Sequence, residues 1–416
     1  MATRAPKPDG VRARASSPRT RPRRPDGAAP MKSVVDLSRA IAADPASARA
    51  RLEEFTSTRT FPILEGDTAT FFFWDGKHTE SVQLVHWVFG LESQQSFERI
   101  PGTDAFWLAI ELPHAARVEY KFKVTRGHRS GWFRDPHNPL KAYDPFGSNS
   151  VCPMPGYVVP RWTEPDEGCR QGRIETFELD CATFGDRRTV TVYLPSEHRP
   201  NKAYPLLIVH DGSDYLRYTA LKAVLDNLIG RHEVIPLIVA MVDGGNRNEE
   251  FGANPKHPAW IVDELLPAVE ARYKVLPGPQ NRGIMGASFG GVASLWTAWS
   301  RPGVFGRLML QSGSFAFTDV GRHDRGPLWD PVVAFVNELR QKPGKLGGRD
   351  VRIYMSCGQF ESLIYYNRSL QPLLRGANLD VRYTEAPDGH NWICWRDRLR
   401  EGLTWLFPGY LWMVYD

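Results

Sequence analysis

The spacing of apolar positions changes character along the chain, and the changes divide it. From Met31 to Phe55, Val34, Val35, Leu37, Ile41 and Leu52 recur at loose helical spacing. Asp44-Pro45 interrupts them, so two short helices are predicted within residues 31–58. Residues 59–152 switch to short β-rich runs at Ala69–Trp74, Val82–Phe89, Phe106–Ile110 and Val118–Val124, several of them alternating and aromatic. Asp75-Gly76, Pro101-Gly102 and Arg126-Gly127 punctuate these runs, which predicts a small antiparallel sandwich. Trp87 and Trp132 fall in this part. Such rings either fill the sandwich core, which is the expectation, or stand out and stack on a sugar or an aromatic ligand. Residues 153–172 are proline-rich and polar and read as a linker.

Beyond Arg173 the pattern changes again. One alternating strand, Arg188–Pro195, is followed by a continuous apolar strand at Leu206–Val209, a buried strand at Val234–Val242, and further strands at Arg282–Met285, Arg307–Gln311, Val351–Met355 and Val381–Thr384. Helical stretches at 220–228, 260–273 and 292–299 separate several of them. Continuous apolar strands alternating with amphipathic helices predict a mostly parallel sheet over 173–416, with helices on both faces. Ligands of such sheets sit at the carboxyl ends of the strands.

Candidate chemistry lies at those ends. Gly286-Ala287-Ser288-Phe289-Gly290 has G-x-S-x-G spacing between a predicted strand and a predicted helix. A serine on so sharp a turn projects its hydroxyl into a cleft, and its neighbours approach too closely for side chains. The same spacing also occurs in glycine-rich turns that only pack a helix onto a sheet. Ser288 is the candidate nucleophile, and the amide of Phe289 would help hold an oxyanion. A serine hydroxyl needs a base. His390, after the last strand, is the candidate; His210, which precedes the serine in the chain, is the rival. Glu361 follows the penultimate strand and is the candidate carboxylate, with Asp388 and Asp330 as alternatives. The loop His210-Asp211-Gly212-Ser213 is expected to supply the second oxyanion donor, from the Gly212 or Ser213 amide. Arg247, His210, Asp211 and Tyr215 are assigned to substrate binding. Arg247 either binds an anionic substrate or pairs with Glu250 to brace its loop.

Charge and cysteine content narrow the classes. The net charge is +5, but residues 1–30 hold eight Lys/Arg against two Asp, so the rest of the chain is close to neutral. No global basic field points to nucleic acid. The basic tail is too poor in apolar residues to fold and is expected to be disordered. Five scattered cysteines without C-x-x-C spacing fit a reducing compartment, with no disulfide framework and no metal set. No apolar run approaches the roughly 20 residues needed to span a bilayer, and no secretory signal is visible, so a cytoplasmic location is expected.

The motifs resemble a known family. His210-Asp211-Gly212, Arg247-Asn-Glu-Glu-Phe251, Glu264-Leu-Leu-Pro267, the serine elbow, Gly358-Gln-Phe-Glu361 and Gly389-His-Asn-Trp392 with Trp395-Arg396 and Leu399 are similar to the esterase D group of α/β-hydrolases, and within it to the enterochelin esterases. Residues 59–152 resemble the immunoglobulin-like N-terminal domains of those esterases, and also the starch-binding type of sandwich. The chain departs from the family at Phe251, Tyr215 and Asp388-Gly389. The resemblance implies an α/β-hydrolase fold preceded by an immunoglobulin-like sandwich. It implies a Ser-His-Glu esterase without metal or cofactor, acting on a small-molecule ester such as the trilactone of a ferric catecholate siderophore. A carbohydrate esterase (feruloyl or acetyl) with a glycan-binding sandwich and a non-catalytic hydrolase-fold binding protein are the competing readings. Oligomeric state stays open.

Overall fold

The computed structural model describes residues 33–88, 90–318 and 324–410; the basic tail of residues 1–30 lies outside them. The first two helices, Val34–Ala43 and Ala48–Ser57, are separated by a 3-10 turn at Pro45–Ser47. Ser33 and Asp36 close a reciprocal capping box at the start of the first. Their apolar faces (Leu37, Ile41, Leu52, Phe55) bury against Phe72 and Ile100 on the outside of the sheets that follow.

Those sheets are antiparallel throughout. One contains β1 (Ile63–Glu65), β2 (Thr68–Phe73), β5 (Glu98–Arg99) and β6 (Phe106–Glu111) in the order β1-β2-β6-β5. The other contains β3 (Ser81–His86), β4 (Gln94–Ser96), β7 (Arg117–Arg126), β9 (Lys141–Asp144) and β10 (Gly147–Pro153) in the order β4-β3-β7-β10-β9, with β8 (Arg129–Phe133) also on β7. Phe71 and Phe73 of β2 meet Tyr120 and Phe122 of β7 edge-on, and one apolar cluster fills the space between the sheets.

The larger sheet has eight strands: β11 (Arg173–Cys181), β12 (Asp186–Leu194), β13 (Leu206–His210), β14 (Ile238–Val242), β15 (Arg282–Ala287), β16 (Arg307–Gln311), β17 (Arg352–Gly358) and β18 (Asp380–Ala386). Their order is β11-β12-β14-β13-β15-β16-β17-β18. β12 runs antiparallel to β11 and β14; the pairings from β14 through β18 are parallel. Successive residues of a strand point to opposite faces. In β13, Leu206 and Ile208 enter one core, while Leu207 and Val209 enter the other. Both faces are therefore covered, which is why these strands read as unbroken apolar runs. Helices Leu266–Arg272, Phe289–Ser300 and Asp330–Gln341 pack on the first face; Leu221–Gly230 and Leu399–Leu406 pack on the second.

Three expectations need adjustment. The strand expected at 234–242 begins at Ile238; Pro236 has no amide to give, and Val234 forms an isolated bridge with Pro408 instead. The helix expected at 260–273 opens with a turn at His257–Ala259 and widens into a π segment at Trp260–Leu265. Residues 153–172 are not a free tether. Their 3-10 turn Arg161–Thr163 lies on the helix Leu221–Gly230, where Asn227 Nδ2 donates to the Trp162 and Glu164 carbonyls at 2.9 and 2.7 Å. Tyr157 donates to Asp397 at 2.9 Å.

Candidate active site

β15 delivers its chain into the helix Phe289–Ser300 through a single residue, Ser288, held at φ 57° and ψ −120°. Positive φ is costly for a residue with a side chain and persists only where its surroundings impose it. Here the Ser288 amide donates to the Gln311 carbonyl of β16 at 2.9 Å, and its carbonyl accepts from Gly291 at 3.1 Å. Gly286 has to be glycine, since a Cβ there would lie 2.4 Å from the Gly290 carbonyl carbon. The amide of Phe289 is the first of its helix and has no intrahelical acceptor.

Two neighbouring strand ends supply an acid and an imidazole. His390 Nδ1 stands 2.7 Å from Glu361 Oε2. The other carboxylate oxygen accepts from Ser312 Oγ at 2.6 Å and the Gly358 amide at 2.8 Å, and the Glu361 side chain is 1% exposed. Ser312 Oγ in turn accepts from Trp395 Nε1 at 2.8 Å, and the Trp395 ring meets His390 edge-on at 5.1 Å. A carboxylate can only accept, so Nδ1 carries the proton and Nε2 the lone pair of the neutral ring. Ser288 Oγ lies 3.3 Å from Ser314 Oγ.

Ser288, Phe289, Ser314, Glu361 and His390 all line one cavity of ≈ 1360 Å³. The N-terminal sheets also contribute to its lining: Trp87 and Trp132, 51% and 54% exposed, stand edge to face with ring centres 6.4 Å apart. The expectation that these rings belong to the sandwich core is wrong. Trp87 follows the end of β3 and Trp132 sits on β8, which among the described residues pairs with β7 alone.

Other assignments are corrected by burial. His210 is fully buried, with Nδ1 beside Ser294 Oγ (3.0 Å) and the Met285 carbonyl (3.1 Å), so it is neither a rival base nor a substrate contact. Tyr215 is fully buried, donates to Gln311 Oε1 at 2.7 Å and does not reach the cavity. Asp211 is buried and forks onto Arg247, with Nε–Oδ1 2.6 Å and Nη2–Oδ2 2.7 Å, so it braces rather than binds. Arg247 does line the cavity, but its brace is Asp211 and not Glu250, which forks instead onto Arg188 at 2.8 and 2.9 Å. Gly212 packs on Met241, and the Ser213 amide donates to Asp243 Oδ1 at 3.2 Å; neither residue lines the cavity. Asp214 of the same turn does line it, and burial beside Asp211 and Asp243 pushes its carboxyl up to about 6. Asp388 is buried and paired away from His390, and Asp330 starts the helix Asp330–Gln341. The Ser312 and Ser314 hydroxyls escaped sequence reasoning, although Gln311-Ser312-Gly313-Ser314 follows a strand end as the other motifs do.

A buried histidine pair lies on one side of the elbow. His210 Nε2 is 2.8 Å from His257 Nε2, and among the described residues His257 Nδ1 has no partner. With His210 Nδ1 donating to the Met285 carbonyl, Nε2 accepts from His257, so a proton added to His210 Nε2 would set two N–H groups head-on. Burial pushes His210 down to about 4 and His257 further below the ordinary histidine range. Both rings are thus expected to remain neutral at pH 5, as two imidazole NMR signals that do not move between pH 7 and 5. The unfolded chain accepts protons below about 6.5 that the native pair refuses. Stability is therefore intact above that pH and lost as pH falls toward 4, by about 2 kcal/mol at pH 5 for His210 alone. Titration of every histidine signal near 6.5 would contradict this.

Among the described residues no group of three or more His, Cys, Asp or Glu is placed to hold a metal ion, and no helix is long and apolar enough to cross a membrane. All five cysteines are free.

The chain is similar to known proteins over most of its length. Residues 181–406 match the family described as "Putative esterase". The iron(III) enterobactin esterase of Dickeya dadantii is 25% identical over 359 residues, covering 76% of this chain and 80% of that relative. The protein of the same name from Escherichia coli O6:H1 is 26% identical over 340 residues, covering 74% and 81%. Among solved structures, ferric enterobactin esterase from Salmonella typhimurium superposes with a TM-score of 0.72 at 22% identity, covering 88% of this chain and 100% of that one. The Shigella flexneri enterobactin esterase, solved in the presence of enterobactin, gives 0.69 at 21% identity, covering 88% and 99%. The chain belongs to this esterase family, and over most of its length it is similar to the enterobactin esterases.

Proposed function

We propose that this chain is a serine esterase for a bulky aromatic ester, of the catecholate siderophore trilactone class, acting through Ser288, His390 and Glu361. The strand order of the large sheet and the chain order serine, acid, histidine support an α/β-hydrolase fold. The two N-terminal sheets then correspond to the immunoglobulin-like sandwich, residues 59–152, followed by the linker 153–172 and the catalytic domain from 173.

The reading rests on one observation, that Ser288 and the exposed Trp87 and Trp132 line one cavity of ≈ 1360 Å³. Sites for a single drug-sized ligand run to about 1,000 Å³. A space larger than that, with two exposed tryptophans in its lining, suits a substrate with several aromatic arms. Charge discriminates less. Lys121, Arg247 and Arg325 face the cavity, but so do Glu119, Asp144 and Asp214. The names of the relatives and the enterobactin present in one neighbour point the same way.

In the mechanism, the Ser288 hydroxyl turns from Ser314 toward His390 Nε2 and attacks the ester carbonyl. Its proton passes to Nε2, and Glu361 stabilises the imidazolium through Nδ1–H. The Phe289 amide donates to the oxyanion. His390 then protonates the leaving alcohol and later activates the water that releases the acid. Resting hydrogen bonds of this kind often tighten only with substrate present.

The test compares kcat/KM on an enterobactin-type trilactone, a feruloyl sugar ester and 4-nitrophenyl acetate. The trilactone should be the best substrate. In Trp87→Ala/Trp132→Ala its KM should rise about tenfold or more, at roughly 1 kcal/mol per lost aromatic contact, with 4-nitrophenyl acetate unaffected. A preference for the feruloyl ester would favour the carbohydrate esterase, and inertness to all three a binding protein.

A further inference from the structure

Two loops carry the imidazole and its carboxylate, and both are fastened to the N-terminal sheets. Phe360, the neighbour of Glu361, is buried in the apolar cluster between those sheets. Arg117, the first residue of β7, reaches the other loop. Its amide donates to the Pro387 carbonyl at 2.9 Å. Its guanidinium, 4% exposed, donates through Nη1 to Asn391 Oδ1 at 3.1 Å and lies 3.4 Å from Asp388 Oδ2. Nη2 donates to Glu119 Oε1 at 2.9 Å.

These partners flank His390 on both sides. Asp388 Oδ1 accepts from the Gly389 amide and from Asn391 Nδ2, each at 2.7 Å. Asn391 Oδ1 caps the next helix by accepting from the Cys394 amide at 2.9 Å. The Asp388 carbonyl accepts from the Phe360 amide at 3.1 Å, which ties the two loops together. A buried ion pair adds little net stability, since desolvation offsets its attraction, but it fixes geometry.

We propose that Arg117 is a positioning residue for ester hydrolysis, holding the Pro387–Asn391 loop so that His390 stays aimed at Ser288. This rests on the reading of His390 as the base. It makes the N-terminal half part of the catalytic apparatus, in addition to a substrate wall. The bare alternative is that Arg117, which borders the cavity, contacts substrate; that role would appear in KM.

Removing Arg117 alone strands the buried Asp388, which burial already pushes up to about 6. The main variant is therefore Arg117→Gln/Asp388→Asn, assayed on 4-nitrophenyl acetate, with near-UV circular dichroism to report folding. The expected result is a native spectrum, kcat lowered about 100-fold and KM within about twofold of wild type. Phosphonylation by a fluorophosphonate should slow to a similar degree. If the double variant does not fold, Arg117→Lys carries the test, since it keeps the charge but loses the two-pronged reach. Wild-type kcat in a folded variant, or an effect confined to KM, overturns the proposal. Ser288→Ala in the same assay separates the two levels. If Ser288→Ala retains turnover, the serine mechanism falls and this inference with it; if it is inactive while the Arg117 variant has wild-type kcat, only the clamp falls.

Discussion

Ser288→Ala is expected to lower kcat for 4-nitrophenyl acetate by about 10⁵- to 10⁶-fold, the loss seen when the nucleophile of a serine hydrolase is removed. The argument is local. The elbow offers one hydroxyl at a strained backbone position, and the same cavity is lined by a histidine whose Nδ1 is held by a buried glutamate. Alanine fills the same space without strain beyond that already present, so the fold should persist. Steady-state assay and the disappearance of the pre-steady-state burst of 4-nitrophenol would show the effect. Turnover within tenfold of wild type in the folded variant would remove Ser288 from the mechanism.

Glu250→Ala should be the most damaging of the side-chain truncations away from the serine. Arg188 is 6% exposed at its side chain, and Glu250 supplies both oxygens of its fork. Removing one partner of a buried pair costs about 3–5 kcal/mol. Asp186 also holds Arg188, at 2.8 and 2.9 Å, so the lower end is expected. By contrast, truncating Glu53 of the exposed Arg49–Glu53 pair should cost at most about 0.5 kcal/mol. Glu250 Oε1 further accepts from the Asn246 amide at 3.0 Å, so its loss frees the segment that carries Arg247 to the cavity. A urea midpoint lowered by the equivalent of about 3 kcal/mol, together with a raised KM for the trilactone, is the expected outcome. An unchanged midpoint would show that Asp186 suffices.

What could be read from the sequence followed from what is local. The elbow was legible because close approach at Gly286 is enforced within five residues. The parallel sheet was legible because strands covered on both faces must be apolar at every position. Partner choice was not legible. Arg247 faces Asp211 instead of Glu250, since helical spacing brought Glu250 under the loop and toward Arg188 of β12. His210 stands at a strand end, as a base would, yet it points into the core beside Ser294. Nothing in the spacing of Arg117 marks it, because Asp388 and Asn391 lie more than 270 residues away and meet it only when two sheets dock.

The strip between the halves has no slack. Tyr157 is tied to Asp397, and the Trp162 and Glu164 carbonyls to Asn227, all on the side of the large sheet. The strip would stay with the large sheet if the small sheets swung aside, and what such a motion would have to break is the contacts of Arg117 with Pro387, Asp388 and Asn391. The width of the cavity that Ser288 shares with Trp87 and Trp132 is therefore set by those contacts and not by the strip.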